Sequence, residues 1–325
     1  MKDWWRLRRT VIKASPLLIP GDYRLYGDTA RRLGRGPTQW LPDPSRLRLP
    51  GGAGESGSYD ALIRRGRCLI LLAADRRHVL RLYREPAYVA RLVANTHWLR
   101  PSFPCPAQEP VPAGLDGWHG IREDFVSGCG LADAERVHWV PIYRDFLRCC
   151  AKHAGRRCEG YLDPSSWFSE LDEWELPDDV AAILNYWRRE LLQVLEDAPL
   201  LRSHGDPNNA NLMVTDVGEL AVIDVESVGK YPFFFDALFI LGGSEPLNKY
   251  LRHKYFAGAF DDELNSIWNA AGKRFRPELR VAYLLASAFA QAFRPDFLYK
   301  RPERRRTKLI KVVERFADEI MSGKA

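Results

Sequence analysis

Three side chains in the second half of the chain have the types and the order that phosphoryl transfer requires. In Ser203-His204-Gly205-Asp206-Pro207-Asn208-Asn209-Ala210-Asn211, a carboxylate at Asp206 is followed by a carboxamide at Asn211. A second carboxylate, Asp224, ends the apolar run Leu220-Ala221-Val222-Ile223. Transfer of a phosphoryl group needs one carboxylate to orient or deprotonate a hydroxyl, and an Asn and an Asp to hold the magnesium that bridges the nucleotide phosphates. The donors are all oxygen atoms, with no cysteine or second histidine in the group, which favours Mg²⁺ over zinc. Taken singly, each residue also fits a turn or a cap; the combination is what points to chemistry.

The elements that must position these groups can be read from residue types. Leu212-Met213-Val214-Thr215 and Leu220-Ala221-Val222-Ile223 are apolar and partly β-branched, and Asp216-Val217-Gly218-Glu219 between them is turn-like. That pattern predicts a hairpin with a four-residue loop. Pairing Thr215 with Leu220 sets Asn211 opposite Asp224, on one face and close enough to share a cation. A strand continuing past Asp224 would put Glu226 on that face too, near a second metal, the substrate or solvent.

The stretch resembles the catalytic and metal loops of the aminoglycoside phosphotransferase and choline kinase group, small-molecule kinases with a protein-kinase-like fold. The shared pattern is His-Gly-Asp, four residues, Asn, then a hydrophobic strand ending in Asp. The resemblance implies that Asp206 is the catalytic base, that Asn211 and Asp224 are metal ligands, and that His204 braces the loop. It further implies that Asp236, in Pro232-Phe233-Phe234-Phe235-Asp236-Ala237-Leu238, anchors that loop from below. Residue type alone makes Asp236 an N-cap ahead of an apolar helix. The implied fold is α+β and bilobal, with a strand-rich N-lobe and a helix-rich C-lobe. Residues 58–127 are expected to form the nucleotide-binding N-lobe and 128–325 the catalytic and substrate-binding C-lobe. Residues 1–57, rich in Gly and Pro, are expected to be an irregular extension. Its Leu49–Gly57 run is either a phosphate-covering loop or a linker.

The N-lobe expectations include two departures from the family. Cys68–Leu72 and His78–Arg84 read as paired strands around Ala74–Arg77. Val79 and Arg81 share a face at period two, Val79 as a wall for the adenine and Arg81 where the family has a phosphate-gripping lysine. Arg81 also fits an edge arginine turned to water. The helical stretch Ala87–Leu99 contains no acid to pair with that cation. Trp118–Val126 reads as a strand and Ser127–Gly130 as a hinge, with the backbones of Glu123 and Phe125 among the candidates for the purine edge. Further helices are expected over Val137–Cys150, Val180–Leu195, Leu264–Ala271, Leu279–Phe293 and Lys308–Met321.

Composition limits the alternatives. The chain has 325 residues, 46% of them hydrophobic and 28% charged, enough for two lobes with a real core. Six cysteines without C-x-x-C spacing imply reduced thiols and a cytoplasmic setting. The net charge of +6 is uneven, with eight acids and no Lys or Arg from Glu159 to Asp179. That stretch is either a solvated face or a negative wall for an amine-bearing acceptor such as an aminoglycoside or amino alcohol. Trp167, Trp174 and Trp187 are core residues or a stacking surface for a sugar. The basic, aromatic ends (Trp4, Trp5 and the arginines beside them, and Arg304 to Lys311) suit the anionic inner face of a membrane, and with it a lipid-linked sugar as acceptor. The expected co-substrate is ATP or GTP with Mg²⁺, and the expected acceptor is a small hydroxyl-bearing molecule. A nucleotide-binding pseudokinase or scaffold is the competing class. No nucleic-acid-binding motif is present, so nucleic acid is not an expected partner.

Overall fold

The computed structural model describes residues 2–19, 21–26, 28–32, 46–49, 58–65, 68–294 and 302–321. The chain divides into two compact units, one of residues 1–98 and 106–127, the other of 99–105 and 128–325. The first is strand-rich and the second helix-rich, the α+β division expected for a protein-kinase-like chain.

The first unit contains α1 (Lys2–Lys13), β1 (Gly21–Tyr26), β2 (Thr29–Arg32), β3 (Arg46–Leu49), β4 (Tyr59–Arg65), β5 (Cys68–Ala73), β6 (His78–Tyr83), α2 (Pro86–Leu99), β7 (Gln108–Pro112) and β8 (His119–Asp124). The strands form one antiparallel sheet in the order β3-β1-β2-β4-β5-β6-β8-β7. Alternation places Leu69, Leu71, Leu80 and Leu82 on one face, where Leu7 and Val11 of α1, and Ala14 just after it, close the core over them. Residues 1–57 are therefore not an irregular extension, since α1 and three strands occupy them. Arginines interleaved with the apolar positions masked both periodicities. Leu7 and Val11 of α1 face its own sheet. The expected phosphate-covering loop falls mostly on residues 50–57, which lie outside the described residues.

The second unit contains β9 (Gly128–Gly130), α3 (Arg136–Ala154), α4 (Ser165–Asp172), α5 (Asp178–Tyr186), α6 (Arg188–Leu195), β10 (Leu200–Ser203), β11 (Leu212–Thr215), β12 (Leu220–Val222), β13 (Gly229–Pro232), α7 (Phe235–Phe239), α8 (Pro246–Phe256), α9 (Asp261–Ala270), α10 (Arg280–Ala292) and α11 (Pro302–Met321). α10 is buried on every side from Val281 to Ala292, its apolar residues running all round with Ser287 and Gln291 among them, and α6, α7 and α11 pack around it. The single helix expected over Val180–Leu195 is two, broken at Trp187. The expected hinge Ser127–Gly130 is largely strand: β9 pairs with β11, Gly128 opposite Thr215. Gly128 has φ +144°, and a Cβ there would lie 2.1 Å from the Val214 carbonyl, so only glycine permits this pairing. Among the described residues no helix is long and apolar enough to cross a membrane.

Candidate active site

Two antiparallel pairs in the second unit hold the loop that carries Asp206. β10 pairs with β13, Ser203 opposite Gly229, and β11 pairs with β12. Between β10 and β11 the chain turns sharply at Gly205, where φ is +83° and a Cβ would sit 2.3 Å from the Ser227 carbonyl. The glycine of His-Gly-Asp is thus a requirement of backbone shape.

Asp236 holds this turn from beneath. It is not the N-cap of its own helix; Phe234 occupies that position, and no side chain caps it. The Asp236 carboxylate instead accepts the backbone N–H of His204 at 2.8 Å and of Gly205 at 2.9 Å, and the side chain is almost wholly buried. His204, fully buried, links the loop to the strand beyond it. Its Nε2 lies 2.9 Å from the Ile223 carbonyl, and its Nδ1 accepts the Asp206 N–H at 3.3 Å, which sets Nε2 as the protonated nitrogen. Behind the same residues sits His153, whose Nε2 meets the Arg202 carbonyl at 3.0 Å while its buried Nδ1 has no partner. Burial pushes this imidazole below its ordinary range, the charge of Asp236 opposing the shift.

Asp206 is one-third exposed, its Oδ1 3.6 Å from an Arg294 guanidinium nitrogen. Its Oδ2 accepts from Asn208 at 3.1 Å. Asn211 donates from Nδ2 to the Asp206 carbonyl at 2.9 Å, which leaves its amide oxygen as the atom able to coordinate. Asp224 is held at φ 64°, ψ 69°, a left-handed conformation uncommon outside glycine and tolerated best by Asn and Asp. Its Oδ1 is buried and has no hydrogen-bond partner. A strained acidic residue with an orphaned oxygen is what a metal ligand looks like without its metal. Asn211 and Asp224 therefore fit Mg²⁺, which needs only one or two protein carboxylates when phosphates and water complete its shell. Among the described residues no three His, Cys, Asp or Glu gather in a metal-binding group.

The hairpin differs from its expected register by one residue. Val214, not Thr215, opposes Leu220, and Asn211 lies opposite Ile223, whose N–H donates to the Asn211 carbonyl at 3.0 Å. The loop is shorter than the four residues expected. Thr215 already pairs with Glu219, and Gly218, at φ +81°, closes a three-residue turn with a bulge. A one-residue slip reverses every face of a strand. Here the left-handed turn at Asp224 redirects the side chain where strand alternation no longer applies. The strand also ends there, and Glu226 lies in a short 3₁₀ turn (Val225–Ser227) with no face shared with Asp224.

In the first unit, Arg81 does have an acidic partner. Its guanidinium lies 3.2 Å from Glu123 of β8, both side chains largely buried. Glu123 accepts in turn from Gln108, and Gln108 accepts from Thr96 of α2 at 2.7 Å. The acid missing from α2 is supplied by the neighbouring strand, because Glu123 opposes Val79 and so shares the face of Arg81. Val79 is buried on that face. The expected purine contacts through Glu123 and Phe125 meet an obstacle. β8 is flanked on both edges by β6 and β7, and the Phe125 N–H donates to the Arg77 carbonyl at 2.9 Å.

Three acids of the acidic stretch are ion-paired, while Glu173, Glu175, Asp178 and Asp179 are exposed. Asp172 binds Arg188 through two contacts of 2.7 and 2.8 Å, Glu170 binds Arg305 at 2.7 Å, and Glu159 reaches Lys230 at 3.5 Å. Trp167 and Trp174 stack on Phe293 with centroids 5.2 and 5.5 Å away, and Trp187 meets Tyr186 edge-on.

Residues 151–290 match the model of a phosphotransferase enzyme family. That stretch contains His204, Asp206, Asn211, Asp224 and Asp236 and ends before Arg294. No curated protein matches the chain. Among solved structures, the aminoglycoside phosphotransferase APH(4)-Ia is similar, with 16% identity, 78% of this chain and 92% of its own covered, and a TM-score of 0.49. A choline/ethanolamine kinase family protein from Mesorhizobium loti has 14% identity, 81% and 92% coverage and a TM-score of 0.45. The aminoglycoside phosphotransferase APH(3'')-Id from Streptomyces rimosus has 13% identity, 71% and 92% coverage and a TM-score of 0.43.

Sequence reasoning missed Asn208 and Arg294. Asn208 is an Asx turn: its Oδ1 accepts from the N–H groups of Ala210 and Asn211 at 2.9 and 3.2 Å while its Nδ2 holds Asp206. The Asn-Asn pair inside a Pro-containing loop was the available signal. Arg294 follows the largely apolar α10, and nothing local in the sequence ties it to Asp206.

Proposed function

We propose that this chain transfers the γ-phosphoryl group of ATP or GTP to a hydroxyl of a small molecule. The observation that carries this reading is Asp206 and Asn211 held together on one loop, with His204 joining Asp206 to Ile223, the residue before Asp224 and its orphaned Oδ1. Asp206 would orient the acceptor hydroxyl and take its proton late, since a loose transition state needs little base strength. Asn208 fixes one Asp206 oxygen and Asn211 fixes the backbone beside it, so the carboxylate is held before substrate arrives. Asn211 and Asp224 would hold Mg²⁺, which when bound neutralises charge on the nucleotide phosphates. Arg81, oriented by Glu123, is the candidate cation for the α- and β-phosphates. That ion pair also removes one argument for a pseudokinase, the lack of an acid for the strand cation.

The test is nucleotide consumption against a panel of amines, sugars, amino alcohols and lipid-linked sugars. Asp206→Ala is expected to lower turnover by roughly 10²-fold or more, the range for general-base loss, while Mg²⁺-nucleotide affinity stays within about twofold. Equal loss of turnover and nucleotide affinity would contradict the role given to Asp206.

A further inference from the structure

The helix α11 is not a free tail: Arg304 and Lys311 are exposed, but one face packs on the core. Leu309, Val312, Val313 and Phe316 are buried, and α11 packs on α10. The same packing turns Lys308 and Arg315, two helical turns apart, into a cavity of about 290 Å³ that is also lined by Asn208, Asn209, Glu245 and Gln291. Asn208 is the residue that holds Asp206 Oδ2, so the cavity adjoins the proposed catalytic carboxylate.

Charge in this cavity is out of balance. Lys308 is half-buried and, among the described residues, makes no hydrogen bond or salt bridge. Burial, and then the charges of Arg315 and Arg294, push its ammonium below the ordinary lysine range, opposed by Asp206. Arg315 donates to the Gly242 carbonyl at 2.7 Å and forms no salt bridge among the described residues; its carboxylate neighbour is Glu314 on its own helix. Glu245 is engaged elsewhere: it accepts from Asn209 and caps the first turn of α8. Among the described residues, Asp206 is thus the carboxylate set against both Lys308 and Arg294. Partly desolvated cations of one sign are unfavourable unless an anion completes the set. The volume is at the small end of ligand pockets, which run from about 300 to 1,000 Å³, and suits one substituent of an acceptor better than a whole one. Three of the eight acids between Glu159 and Asp179 are paired, with Arg188, Arg305 and Lys230, and none of the eight lines this cavity.

We propose that the cavity formed by Lys308, Arg315, Asn208 and Gln291 binds an anionic substituent of the acceptor, a phosphate or a carboxylate, and so presents its hydroxyl to Asp206. This rests on the phosphotransfer reading above, and it makes the acceptor an anionic sugar or polyol and not a polyamine. The two cations lie outside the stretch that matches the phosphotransferase family, as a specificity feature added to shared machinery would.

Binding of inorganic phosphate, followed by thermal unfolding in the presence of saturating Mg²⁺ and AMP-PNP, tests the site apart from the nucleotide. Phosphate should stabilise the native chain and Lys308→Arg. In Lys308→Gln and Arg315→Gln its affinity should fall about 10- to 100-fold, the loss of one hydrogen bond to a charged group. Acetate in place of phosphate distinguishes a carboxylate site from a phosphate site. With glucose, glucose 6-phosphate, glucuronate and glucosamine as acceptors, an anionic sugar should have the lowest KM. Lys308→Gln should raise the KM for that sugar more than the KM for glucose. Equal phosphate affinity in the native chain and both Gln variants, or preference for glucosamine, would overturn the proposal. Failure of the native chain to bind Mg²⁺ and AMP-PNP would instead overturn the phosphotransfer reading, while phosphate binding without nucleotide would still report on the cavity.

Discussion

Replacing Asp224 by Asn should stabilise the protein without metal and abolish the extra stability that Mg²⁺-nucleotide confers. The buried Asp224 Oδ1 has no hydrogen-bond partner, and an unsatisfied buried polar group costs about 1–3 kcal/mol. Asn has the same shape, carries no charge and tolerates the left-handed backbone at φ 64°. Asn keeps an orphaned polar atom but not its charge, so the gain is the difference between a charged and a neutral orphan, about 1–2 kcal/mol. At roughly 2–4 °C per kcal/mol for a domain of 150–250 residues, Tm in EDTA should rise by about 2–8 °C. Saturation reverses the order. Ligand at about 100 times Kd stabilises the native chain by roughly 2.7 kcal/mol, and the variant lacks the carboxylate that makes this binding metal-dependent. Differential scanning fluorimetry with EDTA, with Mg²⁺, and with Mg²⁺ plus AMP-PNP reads both effects. An Asp224→Asn chain that melts at or below the native temperature in EDTA, or gains as much as native from Mg²⁺-AMP-PNP, would refute the reasoning.

Three further outcomes are expected. Asp236→Ala removes the acceptor of two buried N–H groups; at about 1.5–3 kcal/mol per hydrogen bond to a charged group, urea denaturation should show a loss of roughly 3–5 kcal/mol, and a loss below about 1 kcal/mol would mean the loop is held otherwise. Glu123→Ala leaves the Arg81 guanidinium without its carboxylate, at a cost of about 3–5 kcal/mol, and should weaken nucleotide binding as Arg81 loses its orientation; titration with a fluorescent nucleotide checks the second part. His153 has a folded-state pKa below the ordinary 6.5. The unfolded chain therefore binds more protons between that lowered value and 6.5, stability rises with pH across this window, and it is lost as pH falls through it. His153→Gln, able to donate to the same carbonyl, should flatten the urea midpoint between about pH 7.5 and 5.5; an unchanged slope would assign the effect to other groups.

Several elements were legible from local pattern alone. The alternation of β5 and β6, the largely apolar run of α10 and the apolar strands on either side of Gly218 each announce themselves within about ten residues, because side-chain period follows directly from backbone geometry. Register was not legible. Whether the 215–219 loop holds three residues or four depends on the Gly218 φ angle, and that choice moved Asn211 from Asp224 to Ile223. α1 was hidden because arginines interrupt its apolar pattern, and among the described side chains Leu7 and Val11 form its inner face.

The residue types at 206, 211 and 224 determined the chemistry proposed for the site, since carboxylates and a carboxamide bring their proton and metal affinities wherever they are placed. Tertiary structure decided their company. Asp236 reaches the His-Gly turn from another helix, Glu123 reaches Arg81 across a strand pair, and Lys308 and Arg315 come to the Asp206 loop from the far end of the chain. Such partners carry no local signal, because a charge is recruited by the space and the field that packing leaves for it, and those exist only once the core of α10 and α11 has formed.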